Sequence, residues 1–409
     1  MEKLRKNNRK EIASYSHGMY STEKMVAEYY ALYDETVNNK KILLIDVNYK
    51  QSSTGQIVYD IYSRANQYKK KIAVCYGRGI LYRDENVYKF GVDFETYIHA
   101  GLSRITGYNG CFSYFSTRRL IKYIERFKPD LIHIHELHAY FVNIEQLVQY
   151  IKRKKIPLVW TFHCEYMYTG KCGHAYECTK FQEECGKCPA VREYPKSLLI
   201  DRTKAMLKKK RQMLSDLDFT IVTPSNWSKS RVGLSFLKNK KIKTIFNGID
   251  TNTFYPRNVE EQKKNIGINS DTKVVLFVSP NVFDENKGYQ WIEQLATTMQ
   301  DKDVLFLVVG KGTILKEYPS NIKFVGSISD KNVLAIYYTL ADAFLLCSKR
   351  ETYSLTCAEA LCCGTPVVGY ECGAPETVFA GENARFVSYG DLGKLKEALC
   401  DVLYGNEVE

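Results

Sequence analysis

No run in this sequence approaches the roughly 18 consecutive apolar residues that a membrane-spanning helix requires. The charged opening MEKLRKNNRKE has no apolar stretch behind its basic residues. Neither a spanning segment nor a secretory signal is expected, which places the protein in the cytoplasm, with peripheral contact at the inner face of the cell membrane left open. Also missing are a G-x-G-x-x-G turn after the first strand pattern, the spacing of a zinc finger, a recognition helix and any RNA-binding signature, so nucleic acid is not an expected partner. No Asp-x-Asp metal motif is evident at a ligand-facing turn, so no catalytic divalent ion is expected. The 13 cysteines are odd in number, and in a reducing compartment they imply free thiols or a metal site rather than a disulfide frame.

What is present bounds the architecture. With 409 residues, 45% of them hydrophobic and 25% charged, the chain can bury a large core and is expected to form two domains. The formal charge of +12 suits phosphorylated substrates or an anionic membrane surface. Its densest clusters, Lys208 to Arg211 and Lys238 to Lys243, read first as solvated faces and second as a membrane-facing patch.

From Lys40 the pattern alternates strand, turn and helix: KKILLIDV, NYKQSSTGQ, IVYDIYSRANQY, KKIAVCYG. Such alternation signals a parallel sheet with crossover helices. Thr54 and Gly55 fall at the carboxyl end of the first strand, where open α/β sheets bind ligands, so this turn reads equally as phosphate-facing or as a helix start capped by Ser53 or Thr54. Residues 84–112 read as irregular and aromatic. Further on, PDLIHIH and IPLVWTFH are strands; His133 reads as a core histidine, His135 and His138 as edge candidates, and His163 as a histidine at a strand's carboxyl end. Cys172, Cys178, Cys185 and Cys188 follow in C-x5-C-x6-C-x2-C spacing. Cys185 and Cys188 form a good zinc half-knuckle, so a structural zinc tying down this insert is expected, with His174 as a substitute ligand. Before all of this, YSTEKMVAEYYALYDE is an amphipathic helix with Met25, Tyr29 and Leu32 beside Val26, Tyr30 and Tyr33 on one face, capped by Ser21 or Thr22.

The most informative stretch is RETYSLTCAEALCCGTPVVG. DAFLLCS before it is a buried strand, and Leu355, Ala358 and Leu361 recur at helical spacing, so the strand-to-helix turn falls on Lys349 to Ser354. The N–H groups of Tyr353, Ser354 and Leu355 would point from the helix start, where they favour a phosphate or sugar oxygen. Glu351 and Glu359 would lie roughly 12 Å apart if both were helical. That is too far for a glycosidase pair, which needs about 5–9.5 Å, and it suits the two ends of one elongated ligand. Lys287, in a turn before a helix, suits a pyrophosphate as a point charge.

RETYSLTCAEALCCGTPVVG resembles the E-x7-E signature of the retaining glycosyltransferases of family 4, and the resemblance extends over most of the chain. It implies the GT-B architecture, α/β, with two Rossmann-like parallel-sheet domains facing a cleft: residues 40–250, carrying the cysteine-rich insert 164–190, and residues 251–409, binding the nucleotide sugar. It further implies retaining, metal-independent transfer of a sugar from a nucleotide-diphosphate sugar to a glycan or polyprenyl-linked acceptor, in bacterial surface-polysaccharide assembly. Glu351 would hold the donor sugar, Glu359 the ribose, Lys287 the pyrophosphate, His163 the sugar or leaving group, and Thr54–Gly55 the donor phosphate. The family's usual Gly-Arg after the first strand of the second domain is replaced here by Pro280, Asn281 and Val282, leaving Asn281, backbone groups or another basic residue to supply the missing grip. Residues 1–39 resemble the helix that ends family members, and this chain's own DLGKLKEALCDVLYGNEVE stops where that helix is expected. The expectation is a circular permutation in which residues 1–39 pack across the domains; the alternative is a remnant of a fused upstream gene. Rival functions on the same fold are a nucleotide-sugar epimerase, a phosphorolytic enzyme, or an inactive glycan-binding subunit.

Overall fold

The computed structural model describes residues 9–37, 41–314 and 316–405. It divides into two compact units, Met25–Phe246 and Met1–Lys24 with Asn247–Glu409. The expected first segment, 1–39, lies partly outside the described residues, as do Lys40 and the last four residues of the terminal helix pattern.

The unit of residues 25–246 is built on a seven-stranded sheet. Its strands are β1 (Lys41–Asp46), β2 (Lys71–Tyr76), β3 (Val87–Lys89), β4 (Leu131–Ile134), β5 (Leu158–Thr161), β6 (Thr220–Thr223) and β7 (Lys241–Thr244). They run in the order β3-β2-β1-β4-β5-β6-β7, every neighbouring pair parallel. Strands covered on both faces read as unbroken apolar runs, and KILLID and KIAVCY are buried at every position after the first. Chain order reverses between β1 and β4, so the carboxyl ends of these two strands diverge into a crevice, the place where such sheets hold ligands.

Helix Thr22–Thr36 covers one face of this sheet. Met25, Val26, Tyr29, Tyr30, Leu32 and Tyr33 are buried in one cluster with Ile42, Leu44 and Val74. Buried tyrosine hydroxyls need partners. Tyr30 donates to the Ile61 carbonyl at 2.8 Å, Tyr33 meets His133 Nδ1 at 2.6 Å, and Tyr29 meets Thr161 Oγ1 at 3.1 Å. Ser21 Oγ accepts the Lys24 N–H at 3.4 Å, a loose cap at the helix start.

Two parts of this unit depart from the expectations. Residues 84–112 contain β3 and the helix Asp93–Thr106; the helix is inverted, with Thr96, His99 and Ser103 inside and Phe94, Tyr97 and Ile105 exposed, so its periodicity does not mark a core face. Within the basic run 208–211, Lys210 is buried. Its ammonium donates to the Tyr166 and Thr169 carbonyls and lies 3.6 Å from the Tyr166 ring centroid, pinning the cysteine-rich insert to helix Thr203–Leu214. Burial lowers the Lys210 pKa to about 8.

The second unit carries a six-stranded sheet of β8 (Lys273–Asn281), β9 (Val304–Lys311), β10 (Ile322–Gly326), β11 (Ala343–Leu346), β12 (Val367–Tyr370) and β13 (Ala384–Val387). The order is β10-β9-β8-β11-β12-β13, again parallel throughout, and the reversal here lies between β8 and β11. Helix Arg9–Tyr20 belongs to this unit. The Arg9 guanidinium donates to the Thr339 and Ala341 carbonyls, each at 2.7 Å, and Ile249 N donates to the Tyr20 carbonyl at 2.7 Å. Both units are Rossmann-like α/β folds.

Candidate active site

At the β8/β11 switch point of the second unit, short loops bring Lys287 to Glu351. After β8 the chain turns at 284–287, where Lys287 N donates to the Asp284 carbonyl at 2.8 Å. Gly288 then starts helix Tyr289–Thr298 with φ of 76°. A Cβ there would sit 2.0 Å from the Cys347 carbonyl oxygen, so only glycine lets this turn lie against the end of β11. Beyond β11, Glu351 pairs as a short parallel bridge with Gly373: Glu351 N donates to the Cys372 carbonyl at 2.9 Å and Ala374 N to the Glu351 carbonyl at 3.1 Å. Fixed from both sides, Lys287 Nζ lies 2.7 Å from Glu351 Oε1. The Glu351 carboxylate raises the lysine's pKa, so the ammonium stays charged at the crevice.

The rest of the E-x7-E stretch is ordered as its spacing implies. Helix Leu355–Cys362 begins at Leu355, whose N–H, like others in a first turn, has no intrahelical acceptor. Ser354 caps it, its hydroxyl accepting the Cys357 N–H at 3.4 Å, from a backbone at φ 82° and ψ 92°. A non-glycine residue held there is strained, and such strain gathers at ligand-binding turns. Tyr353 is buried, its hydroxyl donating to the Asn247 carbonyl at 2.8 Å. It therefore anchors the turn by its side chain. Glu359 Oε2 accepts the Tyr338 hydroxyl at 2.8 Å, and burial pushes the carboxyl up to about 7. Asn281 is exposed at the end of β8 and pairs with Lys311 at the end of β9. Reading by sequence passed over Glu376, whose carboxylate accepts the Cys372 and Gly373 N–H groups at 3.0 and 2.8 Å; the signal was Glu just after Gly-Ala-Pro.

In the first unit the β1/β4 switch point gathers a different set. Asp46, buried at the end of β1, accepts the Glu136 N–H at 2.9 Å and the Thr54 hydroxyl at 3.0 Å, and burial raises its carboxyl to about 7. Thr54 thus turns its hydroxyl to a carboxylate, and the cap of helix Ser52–Ser63 is Gln51 rather than Ser53 or Thr54. Gly55 lies close against the preceding loop, where a Cβ would meet the Asn48 carbonyl at a tight 3.2 Å.

His163 follows β5, its Nε2 lying 3.0 Å from His135 Nδ1 with the rings stacked at 5.3 Å. Burial depresses its pKa to about 4, so it is neutral near pH 7. His133 lies behind, bonded to Tyr33 and Thr161. Beside the stack, Glu136 Oε1 is 2.6 Å from His138 Nδ1 and Glu136 Oε2 accepts the Cys164 thiol at 3.1 Å. Burial alone would raise the Glu136 carboxyl, but the imidazolium outweighs it and holds it at about 2. Among the described residues this is the one group of three or more His, Cys, Asp or Glu whose ligand atoms lie within 4.8 Å of one another. The four cysteines of the insert do not form such a group: the Cys172 thiol hydrogen-bonds Cys188 and lowers its pKa, while Cys185 is raised by burial and by nearby Cys178 and Cys188.

Comparison with known proteins decides what these two sheets belong to. Residues 74–253 match the model of the family described as Glycosyltransferase Family 4, and residues 272–404 match that described as Glycosyl transferases group 1. The chain is a glycosyltransferase of the family 4 type. It is 25% identical over 294 residues to the putative colanic acid biosynthesis glycosyl transferase WcaC of Escherichia coli K12, covering 68% of this chain and 69% of that one. Among solved structures, sucrose-phosphate synthase from Thermosynechococcus elongatus superposes with a TM-score of 0.60 at 17% identity, covering 89% and 90% of the two chains. Anabaena Alr3699/HepE in complex with UDP-glucose gives 0.58 at 14%, covering 88% and 90%. At such identities these structures establish the GT-B fold for this glycosyltransferase and nothing finer.

Proposed function

We propose that this protein transfers a sugar, with retention of anomeric configuration and without a catalytic metal, from a nucleotide-diphosphate sugar to a glycan or lipid-linked acceptor in bacterial surface-polysaccharide assembly. The observation that carries the reading is the Lys287–Glu351 pair held at the β8/β11 switch point. When donor binds, the Lys287 ammonium takes the diphosphate and Glu351 is released to hydroxyls of the donor sugar. Glu359, aligned by Tyr338, holds the ribose, and the Ser354 and Leu355 N–H groups face donor oxygens. Asn281 and Lys311, paired and exposed at the carboxyl edge, stand in for the arginine that the family pattern has and this chain lacks. Stabilising the leaving diphosphate supplies most of the rate enhancement, and the acceptor hydroxyl attacks on the face the diphosphate leaves. Neutral His163 hydrogen-bonds the transferring sugar, and Thr54 and Gly55 hold the loop beside it.

The four cysteines of the insert are proposed to take a structural zinc; the hydrogen bond between Cys172 and Cys188, with Cys185 near both Cys178 and Cys188, supports this. Residues 9–36 are proposed to serve as the helices that end other family members, supported by the assignment of Arg9–Tyr20 to the nucleotide-sugar unit and most of Thr22–Thr36 to the other. We propose that catalysis takes place in the cytoplasm, a lipid-linked acceptor bringing the enzyme to the inner membrane face; no described helix is long and apolar enough to cross a membrane.

The test is product analysis with a panel of nucleotide sugars, with and without lipid-linked acceptors, reading the new linkage by nuclear magnetic resonance. Acceptor-dependent product with the donor's anomeric configuration is expected. Inverted product would refute retention. Turnover without acceptor would favour an epimerase, and turnover only with phosphate a phosphorylase.

A further inference from the structure

The helix Asp93–Thr106 turns the wrong way round for a soluble protein. Its inner face is polar: His99 Nδ1 meets Ser113 Oγ at 2.8 Å and Ser103 Oγ donates to the Tyr108 carbonyl at 2.9 Å. Its outer face carries Phe94, 74% exposed, Tyr97, 73% exposed, and then Leu102 and Ile105, one stripe at helical spacing. Two neighbours extend the stripe. Glu95 accepts the Phe115 and Ser116 N–H groups, each at 2.8 Å, which ties the segment carrying exposed Phe115 to the first turn of this helix. At the other end Leu198 N donates to the Arg104 carbonyl at 2.7 Å, which ties the segment carrying Leu199, 73% exposed, to the last turn. Monomeric soluble proteins seldom leave so continuous an apolar patch open, and such patches mark interaction surfaces.

We propose that this face seats the unit of residues 25–246 on an anionic lipid bilayer. Charge selects this occupant. Arg104, Arg118, Arg202 and Lys208 stand exposed around the stripe, while its acids are engaged: Asp93 with Lys89 at 3.0 Å and Glu95 with the N–H groups above. An apolar strip of aromatic and aliphatic side chains rimmed by arginine and lysine is the pattern of a helix lying in a lipid interface. A second copy docking through the same face would set one basic rim against another. Beside the stripe a cavity of about 520 Å³ opens between Tyr108, Tyr114, Glu145, Lys208 and Lys209; Glu145 holds Lys209 at 2.7 Å, which leaves exposed Lys208 to meet a lipid phosphate. The proposal deepens the membrane contact of the proposed function and rests on that reading only for its purpose, since the surface is independent of the donor.

The experiment is co-sedimentation of the full chain with vesicles of phosphatidylcholine alone and of equimolar phosphatidylcholine and phosphatidylglycerol, with nucleoside diphosphate binding measured in parallel. Wild type should pellet with the anionic vesicles and far less with the neutral ones. Phe94→Ser with Tyr97→Ser should weaken that binding roughly tenfold or more, given the transfer free energy of two large apolar side chains, with melting temperature and nucleotide binding unchanged. Lys208→Glu with Arg104→Glu should weaken it and reduce its salt dependence. Wild type left in the supernatant with both vesicles, or a double serine variant pelleting like wild type, would overturn the proposal. So would a wild-type dimer in solution that the serine variant makes monomeric. Loss of nucleotide binding with vesicle binding intact would instead count against the donor site alone.

Discussion

Replacing Lys287 by methionine keeps the length of the side chain and removes its charge, and the structure sets what this should cost. The partner carboxylate is 2.7 Å away with 17% of its side chain exposed, against 34% for the lysine. Exposed pairs contribute about 0–1 kcal/mol, and breaking a fully buried one costs about 3–5. A half-buried pair should therefore cost roughly 1–2 kcal/mol, a few degrees in the melting temperature of a unit this size. Transfer should suffer far more. Losing one preorganised charge at a developing anion typically costs about 10²–10³ in kcat, or roughly 3–4 kcal/mol. Initial rates at saturating donor, set beside thermal melts of the same preparation, separate the two effects. Glu351→Gln should lower activity comparably while costing less stability, because an amide can still accept from the lysine. A Lys287→Met enzyme with wild-type kcat/KM, or one whose activity falls only with its folded fraction, would refute the assignment.

Gly288→Ala must leave the left-handed region and move a Cβ that would lie 2.0 Å from the Cys347 carbonyl; a loss of roughly 3 kcal/mol or more is expected in denaturant melts, with donor affinity falling too. Asp46, pushed up to about 7 by burial, binds its proton more tightly folded than unfolded, so its contribution falls as pH rises from about 4 to about 7. Asp46→Asn, which resembles the protonated acid, should remove that downward slope from urea midpoints taken across the range. His163, lowered to about 4, gives the opposite slope, its contribution being lost as pH falls below about 6.5. Protein purified without chelator should carry one zinc per chain, and Cys185→Ser should lose it together with several degrees of melting temperature; a metal-free wild type would dismiss the zinc.

Much of this glycosyltransferase was legible because parallel strands buried on both faces are written as short continuous apolar runs, as in KILLID and AFLL. The tyrosine stripe of Thr22–Thr36 was legible for a related reason: six apolar positions on one helical face must meet a core. Helix Asp93–Thr106 was not, since reading by period assumes that the apolar face turns inward, and here Thr96, His99 and Ser103 do. Lys210 was hidden in a run of basic residues, where nothing local distinguishes the one lysine that backbone carbonyls receive. At the site, Glu351, Ser354 and Glu359 were legible as a turn followed by a helix, and Lys287 by its Gly neighbour. The Asp46–Glu136–His138–Cys164 group was not, because β1, β4 and β5 bring it together only once the strand order is known. Thr54 shows the same limit, its hydroxyl being directed to Asp46, a partner that local spacing does not single out.

Calorimetric titration with UDP, GDP and ADP tests whether the β8/β11 switch point binds a nucleoside diphosphate through Lys287 and Glu359. One of the three should bind wild type, bind Lys287→Met at least tenfold more weakly, and bind Glu359→Ala more weakly as well. Failure of all three to bind, or equal affinity for wild type and Lys287→Met, would contradict it.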